Sequence, residues 1–440
     1  MLRFETVSAS GAASGAYDAC AAWLICQLSI VQLDFCGILP ESVSGKPVVV
    51  AEWTGSDPSL PCVLLNSHYD VVPVADDQWA VPAFEGLMKD GRVYGRGAQD
   101  MKCVCVQYIV ALQALKARGF APVRTIRLSF VPDEEIGGAD GMGVLLRSSW
   151  FGERSVGLAL DEGLASESDK YSVFYGERLP WWVKVTAHGN TGHASRFIEA
   201  TAVEQLLQFA QRALAFREEQ RILLHGSDQA VGSCGCNHSV AAKKVLGDVT
   251  SLNLTVLRSG VAGEVSALNV IPSTAEAIFD IRISPHTDPS QMSNKLDLWC
   301  RECTASTNSR VGSSFNVETM GDEAMHGPRL QWEYVINRGQ EHHTTSTDAA
   351  SNPWWSVFIA GLGPAVEVEP LVFPAATDSR FLRAVGIRAL GFSPMRRSPI
   401  LLHEHNEYLG EDVFLEGCSV YCGLIEKLAS QEHFTADTAF

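Results

Sequence analysis

The chain has 440 residues, of which 46% are hydrophobic and 19% are charged. This apolar content is enough for the cores of two or three folded domains, and it excludes an intrinsically disordered or fibrous protein. The 34 Lys and Arg residues against 51 Asp and Glu residues give a formal net charge of −17. A nucleic-acid binder or an anionic-membrane binder needs the opposite balance, so we expect neither kind of partner.

The first 160 residues alternate short β-rich apolar runs with helical patterns. Strands are predicted at residues 47–53, 62–66, 123–131 and 158–160. Helices are predicted at residues 101–118, where Gly119 ends the pattern, and at residues 139–149. This alternation predicts an α/β fold with a mixed, largely parallel sheet flanked by helices.

The pattern changes near residue 180. Strands are predicted at 181–187, 250–257 and 276–283, and helices at 200–224 and 289–305. This order predicts a smaller α+β, ferredoxin-like domain at 181–318, inserted into an α/β domain made of 1–180 and 319–440. Residues 225–247, rich in Gly, Ser and Cys, are interpreted as a loop or insertion. The α/β pattern returns with a helix at 352–362, a strand at 388–392 and a helix at 411–430.

The twelve cysteines are scattered along the chain. In a chain of this length, scattered cysteines favour free thiols in a reducing compartment, so we expect a cytoplasmic protein. The most apolar early stretch, residues 19–33, is interrupted by Gln27, Ser29 and Gln32. It is too short and too polar to span a bilayer, and it is interpreted as a helix that faces the core.

Metal-capable side chains directly follow three of the predicted strands: His68 and Asp70, Glu134 and Glu135, and Asp161 and Glu162. Any one of these pairs alone is more typical of a turn or a solvated loop. Parallel strands, however, end at one edge of an open α/β sheet, where ligands bind. Asp100 opens the predicted helix at 101–118 and should lie at the same edge. A distant ligand is expected from residues 401–407, where His403 and His405 are the candidates.

This residue set is typical of a divalent metal site. Imidazoles and carboxylates without cysteine suit zinc or a similar cation with open coordination positions. A nicotinamide-binding protein would need a G-x-G-x-x-G motif, and the run from Gly95 lacks its third glycine. A non-catalytic binding protein on the same scaffold would be indicated by the loss of Glu134 or of a ligand, and all of these residues are present.

Seven motifs together resemble one family. They are N-S-H-Y-D-V-V-P from Asn66, G-R-G-A-Q-D-M-K from Gly95, P-D-E-E-I-G-G from Pro132, A-L-D-E-G from Ala159, G-H-A-S-R-F from Gly192, A-T-D-S-R from Ala376 and L-H-E-H-N-E from Leu402. They resemble the co-catalytic zinc hydrolases that include aminoacylase, carboxypeptidase G and succinyl-diaminopimelate desuccinylase. The N-P-W-W run from Asn352 is most similar to the eukaryotic aminoacylases within that family.

The resemblance implies two zinc ions per subunit and five ligands: His68, Asp100, Glu135, Glu162 and His403. Asp100 would bridge the ions, with His68 and Glu162 on one and Glu135 and His403 on the other. Asp70 would orient His68, and Glu134 would be the general base. Tyr69 stands where related enzymes commonly carry a smaller residue, so it is expected to narrow the site or touch a substrate.

The resemblance also implies roles outside the metal ligands. The inserted domain would be a lid and the interface of a homodimer, in which His193 stabilises the oxyanion in a neighbouring subunit's site. Arg380 would bind the substrate carboxylate, with help from Asn253 or Arg282. The expected reaction is hydrolysis of N-acyl-L-amino acids, small-molecule substrates, to a carboxylate and a free L-amino acid. The alternative is a metallo-dipeptidase or carboxypeptidase of the same family.

Overall fold

A computed structural model of the chain describes residues 1–226, 244–260, 267–308, 329–337 and 339–434. The chain forms two compact units. Unit 1 comprises Met1–Gly176, His343–Phe373 and Thr377–Phe440, and unit 2 comprises Glu177–His342 and Pro374–Ala376. The predicted boundary at 318/319 lies outside the described residues, as does most of the predicted insertion at 225–247. The division into a catalytic domain and a lid stays a prediction.

The first part of unit 1 alternates helices with strands, as its sequence pattern predicts. Its helices are α1 (Gly11–Ser14), α2 (Ala16–Val31), α3 (Lys102–Ala117), α4 (Met142–Arg147) and α5 (Ser149–Gly152). Its strands are β1 (Phe35–Ile38), β2 (Val49–Trp53), β3 (Cys62–His68), β4 (Leu87–Lys89), β5 (Arg92–Tyr94), β6 (Ile126–Val131), β7 (Val156–Asp161) and β8 (Tyr171–Glu177). Gly119, at a φ of +72°, ends the α3 segment with a backbone conformation that favours glycine.

Unit 2 is an α+β unit of ferredoxin-like order. Its elements are β9 (Leu179–His188), β10 (Gly192–His193), α6 (Ala202–His225), β11 (Ser251–Ser259), β12 (Val270–Ile271), β13 (Thr274–Ile283), α7 (Pro289–Asn308) and β14 (Arg329–Asn337). The sheet has the order β11-β13-β9-β14 and is antiparallel throughout. Burial alternates along β13, which therefore buries one face in the core of this unit. Thr201 and Glu204 form a capping box that starts α6.

The last part of the chain returns to unit 1 with α8 (Pro353–Leu362), β15 (Val368–Phe373), α9 (Ser379–Ala384), β16 (Ala389–Phe392), β17 (Tyr408–Gly410) and α10 (Glu411–Ala429). The main sheet has the order β1-β2-β6-β3-β7-β16-β8-β15. Its centre, from β6 to β16, is parallel, and β1, β2 and β8 pair antiparallel. The predicted mixed α/β sheet is confirmed.

The central strands are buried on both faces, because helices cover each side of the sheet. Every residue of β3, β6 and β7 is buried. Along β3, Val63 and Leu65 join the core cluster that includes α2, α3 and α10, whereas Cys62 and Leu64 join the one that includes α4. This alternation follows from the two-residue period of a strand. The carboxyl ends of β3, β6 and β7 therefore form one rigid edge.

Within the described ranges, no helix combines the length and apolar character required to cross a membrane. The ten cysteines in this part of the chain are all free thiols.

A buried ion pair joins two strands of the main sheet. Arg127 on β6 lies opposite Glu52 on β2, and its Nε donates to Glu52 Oε2 at 2.7 Å. Arg127 is 1% exposed and also donates to the carbonyl of Trp150. Burial alone raises the pKa of Glu52, but hydrogen bonds from Arg154 and Arg127 outweigh burial and lower it. Glu52 is therefore ionised in the folded chain at neutral pH.

Replacing Glu52 by Gln leaves the Arg127 cation buried without its carboxylate. We expect Glu52→Gln to lower the free energy of unfolding at pH 7 by about 3 kcal/mol, measured by urea denaturation. Because the folded pKa of Glu52 is lowered, its contribution is full above the unfolded pKa of about 4.3 and is lost as the pH falls through the folded value. The difference between variant and wild type should therefore shrink as the pH falls below about 4.

Glu153→Gln is the matched control, because the Glu153 side chain is 64% exposed and lies 3.5 Å from the same guanidinium. It should change the free energy of unfolding by less than about 0.5 kcal/mol. Equal losses in the two variants would contradict the importance of the buried pair.

Candidate metal centre

The side chains of this site come from the edge at which the parallel strands end. His68 is the last residue of β3, Glu134 and Glu135 follow β6 in a short 3-10 turn, and Glu162 directly follows β7. Because β3 pairs in parallel register with both β6 and β7, their ends lie side by side. Asp100 precedes α3, and His403 lies in the segment before β17. All of these residues belong to unit 1.

The side chains form two groups that could each hold a metal ion. One consists of His68, Glu134 and Glu162, and the other of Asp100, Glu135 and His403, with ligand atoms within 4.8 Å of one another in each group. Asp100 joins the groups, since its Oδ1 lies 3.1 Å from His68 Nε2 and its Oδ2 lies 3.2 Å from His403 Nε2. All five predicted ligands are thus brought together, with Asp100 between the two imidazoles.

The charge of the site fits divalent cations. Seven acidic side chains are buried or nearly so around it: Asp70, Asp100, Glu134, Glu135, Asp161, Glu162 and Asp378. Burial, reinforced by neighbouring carboxylates, raises the pKa of Glu134, Glu162 and Asp378 well above their ordinary values. Burial and the nearby Asp100 raise the pKa of Glu135 to about 7. Negative charge concentrated in a low dielectric is unfavourable unless cations offset it.

The two imidazoles offset part of this charge. Hydrogen bonds to Asp100 and Glu135 raise the pKa of His403 to about 10. Hydrogen bonds to carboxylates outweigh burial and raise the pKa of His68 as well. The same contacts lower the pKa of Asp100 although its burial opposes the change. Metal binding would displace these protons, because imidazole and carboxylate bind metals in their deprotonated forms.

Asp70 supports the site in two ways. His68 Nδ1 lies 3.0 Å from the backbone oxygen of Asp70 and 3.4 Å from its carboxylate, which leaves Nε2 directed at the other ligands. The Asp70 carboxylate accepts the backbone N–H groups of Glu134 at 3.1 Å and Glu135 at 3.2 Å. The Asp70 carboxylate thus links the end of β3 to the turn that follows β6. The acceptor nearest to His68 Nδ1 is the backbone oxygen of Asp70 and not its carboxylate.

Arg380 lies beside Glu134 at the edge of the site. Its Nη1 is 3.9 Å from Glu134 Oε1, and its guanidinium donates to the carbonyls of Thr377 and Gly137, each at 2.9 Å. Both carboxylate oxygens of the neighbouring Asp378 are buried without a hydrogen-bond partner. A buried acid without donors is costly.

The remaining predicted residues lie in unit 2. His193 is exposed on β10, where its Nδ1 is 2.8 Å from Ser195 Oγ and accepts the backbone N–H of Ser195. The Asn253 side chain on β11 accepts a hydrogen bond from Arg217. Arg282 on β13 donates through Nε and Nη2 to the two oxygens of Asp280. Their roles toward a substrate stay predictions.

Tyr69 does not line the site. It is fully buried, its hydroxyl donates to the carbonyl of Pro47 at 2.6 Å, and its ring packs edge-on against Tyr17. The expectation that it narrows the site is wrong, because side chains alternate along the chain leaving β3 and that of Tyr69 enters the core. Sequence reasoning also missed Glu407, a buried acid whose only sequence signal was its place at the end of L-H-E-H-N-E.

The two metal-capable groups predict that zinc stabilises the folded chain. Adding zinc to chelator-stripped protein should raise its unfolding temperature, since an ion at 100 times its Kd adds about 2.7 kcal/mol. In a thermal unfolding assay, His403→Ala should lose the part of this increase that comes from the Asp100–Glu135–His403 group. His405→Ala should keep it, because among the described residues the exposed His405 belongs to neither group. The reverse pattern would assign the ligand to His405.

Comparisons with known proteins agree with this architecture. A model of peptidase family M20/M25/M40 matches residues 64–427. Aminoacylase-1 from Mus musculus is 44% identical over 393 residues, covering 89% of this chain and 85% of the relative. Aminoacylase-1 from Homo sapiens is 42% identical over 400 residues, covering 90% and 87%.

Solved structures show the same fold at low identity. Human carnosine dipeptidase 1 superimposes with a TM-score of 0.64 at 16% identity, covering 97% of this chain and 94% of that one. The metallo-carboxypeptidase Sso-CP2 from Sulfolobus solfataricus also has a TM-score of 0.64, at 18% identity and 97% coverage of both chains. The family match and the extent of identity to the aminoacylases show that the chain belongs to peptidase family M20/M25/M40.

Proposed function

We propose that the protein is an amidohydrolase that cleaves N-acyl-L-amino acids to a carboxylate and a free L-amino acid. The observation that carries the proposal is the 42–44% identity to aminoacylase-1 proteins along about nine-tenths of the chain. The assembled site supports it, since it combines two metal-capable groups, a buried glutamate and a guanidinium within one edge of the sheet.

The metal centre is proposed to hold two zinc ions per subunit. His68 and Glu162 would hold one ion, Glu135 and His403 the other, and Asp100 both. This mixture of nitrogen and oxygen donors suits zinc. When bound, such a pair of ions lowers the pKa of water and polarises an amide carbonyl.

Glu134 is proposed as the general base. It takes a proton from the water whose oxygen attacks the amide carbon, and it returns a proton to the amide nitrogen as the carbon–nitrogen bond breaks. Its burial keeps bulk water from competing for that proton. Because Glu134 also lies within a metal-capable group, the alternative role of metal ligand is decided by the metal content of a variant.

Arg380 is proposed to bind the substrate carboxylate. Two of its five N–H groups donate to main-chain carbonyls, which fixes the guanidinium. Within the described ranges the other three make no hydrogen bond and are left for a ligand. A carboxylate suits this planar fork through two parallel hydrogen bonds. In an N-acyl amino acid the carboxylate and the amide nitrogen are attached to the same carbon. Binding at Arg380 therefore places the nitrogen near Glu134, whose Oε1 is 3.9 Å from Arg380 Nη1.

A homodimer through unit 2 is part of the proposal. His193 from a second copy of the chain would stabilise the oxyanion, and Asn253 or Arg282 would assist Arg380. The exposure of His193 supports this role. The edge strand β11 and the helix α6 expose Leu257, Leu207 and Leu214, apolar surface that a second copy could cover. The ten free thiols of the described residues support the proposed cytoplasmic location.

The activity is tested with N-acetyl-L-methionine and zinc-supplemented protein. We expect release of free methionine that stops after chelation and returns when zinc is added back. N-acetyl-L-methioninamide, which lacks the carboxylate for Arg380, should be a much poorer substrate. Hydrolysis of dipeptides with no release from the acetylated amino acid would overturn the acyl preference and favour a metallo-dipeptidase.

Glu134→Gln separates the two possible roles of this residue. As a general base, its loss should lower kcat by about 10²- to 10⁴-fold while the bound zinc stays at the wild-type level. Glu162→Gln is the matched comparison and should lower the zinc content, measured by elemental analysis. If Glu134→Gln loses zinc as Glu162→Gln does, Glu134 is a ligand.

A further inference from the structure

Glu407 is a fully buried carboxylate that is surrounded by hydrogen-bond donors. Its Oε1 accepts the backbone N–H groups of Gln99 at 2.6 Å and Asp100 at 3.3 Å. Its Oε2 accepts the backbone N–H of Gly97 at 3.0 Å and Arg96 Nη1 at 2.8 Å. An ionised carboxylate, which only accepts, matches this set of donors.

The donors converge because residues 95–100 form a tight loop, called here the 95–100 loop. Gly97 has a φ of +88°, in the left-handed region that favours glycine. A Cβ at this position would lie 3.0 Å from atoms of both Lys102 and Val71. Successive N–H groups in such a turn make a concavity that binds an anion. Here the anion is a side chain from more than 300 residues away in the sequence.

The Arg96 side chain bridges Glu407 and the backbone of His403 through hydrogen bonds. Its Nη2 donates to the His403 carbonyl at 3.3 Å and its Nη1 to the Glu404 carbonyl at 3.2 Å. His403 has a φ of +60°, a backbone conformation that is unusual for a residue with a side chain. The bond to its carbonyl therefore holds His403 in a conformation that the free chain disfavours.

Gln99 adds a second connection between the same parts of the chain. Its Nε2 donates to the carbonyls of Pro399 at 3.0 Å and Tyr408 at 2.9 Å, and its Oε1 accepts the N–H of Leu401 at 3.0 Å. The 95–100 loop and residues 399–408 are thus joined along their length. One candidate metal ligand, Asp100, ends the first segment, and another, His403, lies in the second.

We propose that Glu407 is a positioning residue that fixes Asp100 and His403 relative to each other and thereby sets the metal affinity of the Asp100–Glu135–His403 group. This inference rests on the metal centre of the proposed function. The 3.2 Å separation of Asp100 Oδ2 and His403 Nε2 is the geometry that Glu407 maintains. His68 is held separately, by the backbone oxygen of Asp70 at 3.0 Å. The two groups should therefore respond differently to a change at Glu407.

Glu407→Gln tests the proposal, because an amide of the same shape turns an NH₂ group toward N–H donors. Zinc is titrated into chelator-stripped protein in competition with a chromophoric chelator. We expect one of the two binding steps to weaken by about 10- to 100-fold, the usual effect of removing a partner that orients metal ligands. The other step should weaken less, because it shares Asp100 but keeps His68, which is held by the backbone oxygen of Asp70. Excess zinc should restore kcat with an unchanged KM, since every ligand remains.

Glu404→Gln is the matched control. It also removes one negative charge, but Glu404 is an exposed side chain three residues before Glu407. It should bind zinc as the wild type does. If Glu407→Gln does not fold, as judged by circular dichroism, Arg96→Lys keeps the charge but loses the fork that reaches His403. That variant should show the same selective weakening.

Three results would overturn the proposal: unchanged zinc binding in a folded variant, equal weakening of both steps, or weakening in Glu404→Gln as well. Binding of a single zinc ion by the wild type would also overturn it. The titration uses no substrate, so it is independent of the proposed reaction. Two bound ions without hydrolysis of N-acetyl-L-methionine would reject the proposed function alone.

Discussion

The structure of unit 1 depends on placing many carboxylates together at one edge of a buried sheet. Like charges in a low dielectric repel one another, and each also loses the hydration it has in water. A fold tolerates such a cluster only if donors or cations are supplied at fixed positions. The parallel centre of the sheet provides that rigidity, because β3, β6 and β7 are buried at every residue and end at the same edge.

The acids of this edge differ in what they contact, and the difference indicates their roles. Asp70 and Glu407 accept main-chain N–H groups, and Asp161 accepts the side chains of Asn66 and Ser379. The carboxylates of these three residues accept hydrogen bonds from protein donors, and they hold neighbouring segments in place. In contrast, Asp100 and Glu135 direct carboxylate oxygens at imidazole nitrogens. The lone pairs of these carboxylate oxygens are available to coordinate a cation. The site therefore consists of candidate metal ligands surrounded by acids that support the structure.

The same arrangement connects the site to the proposed reaction. In the proposed reaction, the Arg380 guanidinium beside the buried Glu134 would select a substrate that carries a carboxylate close to the scissile amide. Main-chain carbonyls hold Arg380 in place, so its orientation does not depend on the substrate. Unit 2 has an independent core and contains His193, Asn253 and Arg282. The contribution of these three residues to substrate recognition is part of the proposal.

Local sequence pattern determined the central strands, the long helices and the candidate ligands. Apolar periodicity and turn residues act within a few residues, and the carboxyl ends of parallel strands must meet at one edge. The pattern did not reveal β8, β14 or β15, which lie at the flanks of their sheets beside strands that are distant in the sequence or that only the tertiary structure brings next to them. Only the tertiary structure decided that Tyr69 enters the core and that Glu407 binds the 95–100 loop. Such contacts join residues that are far apart in the chain, and no local spacing encodes which distant donors a buried acid will meet.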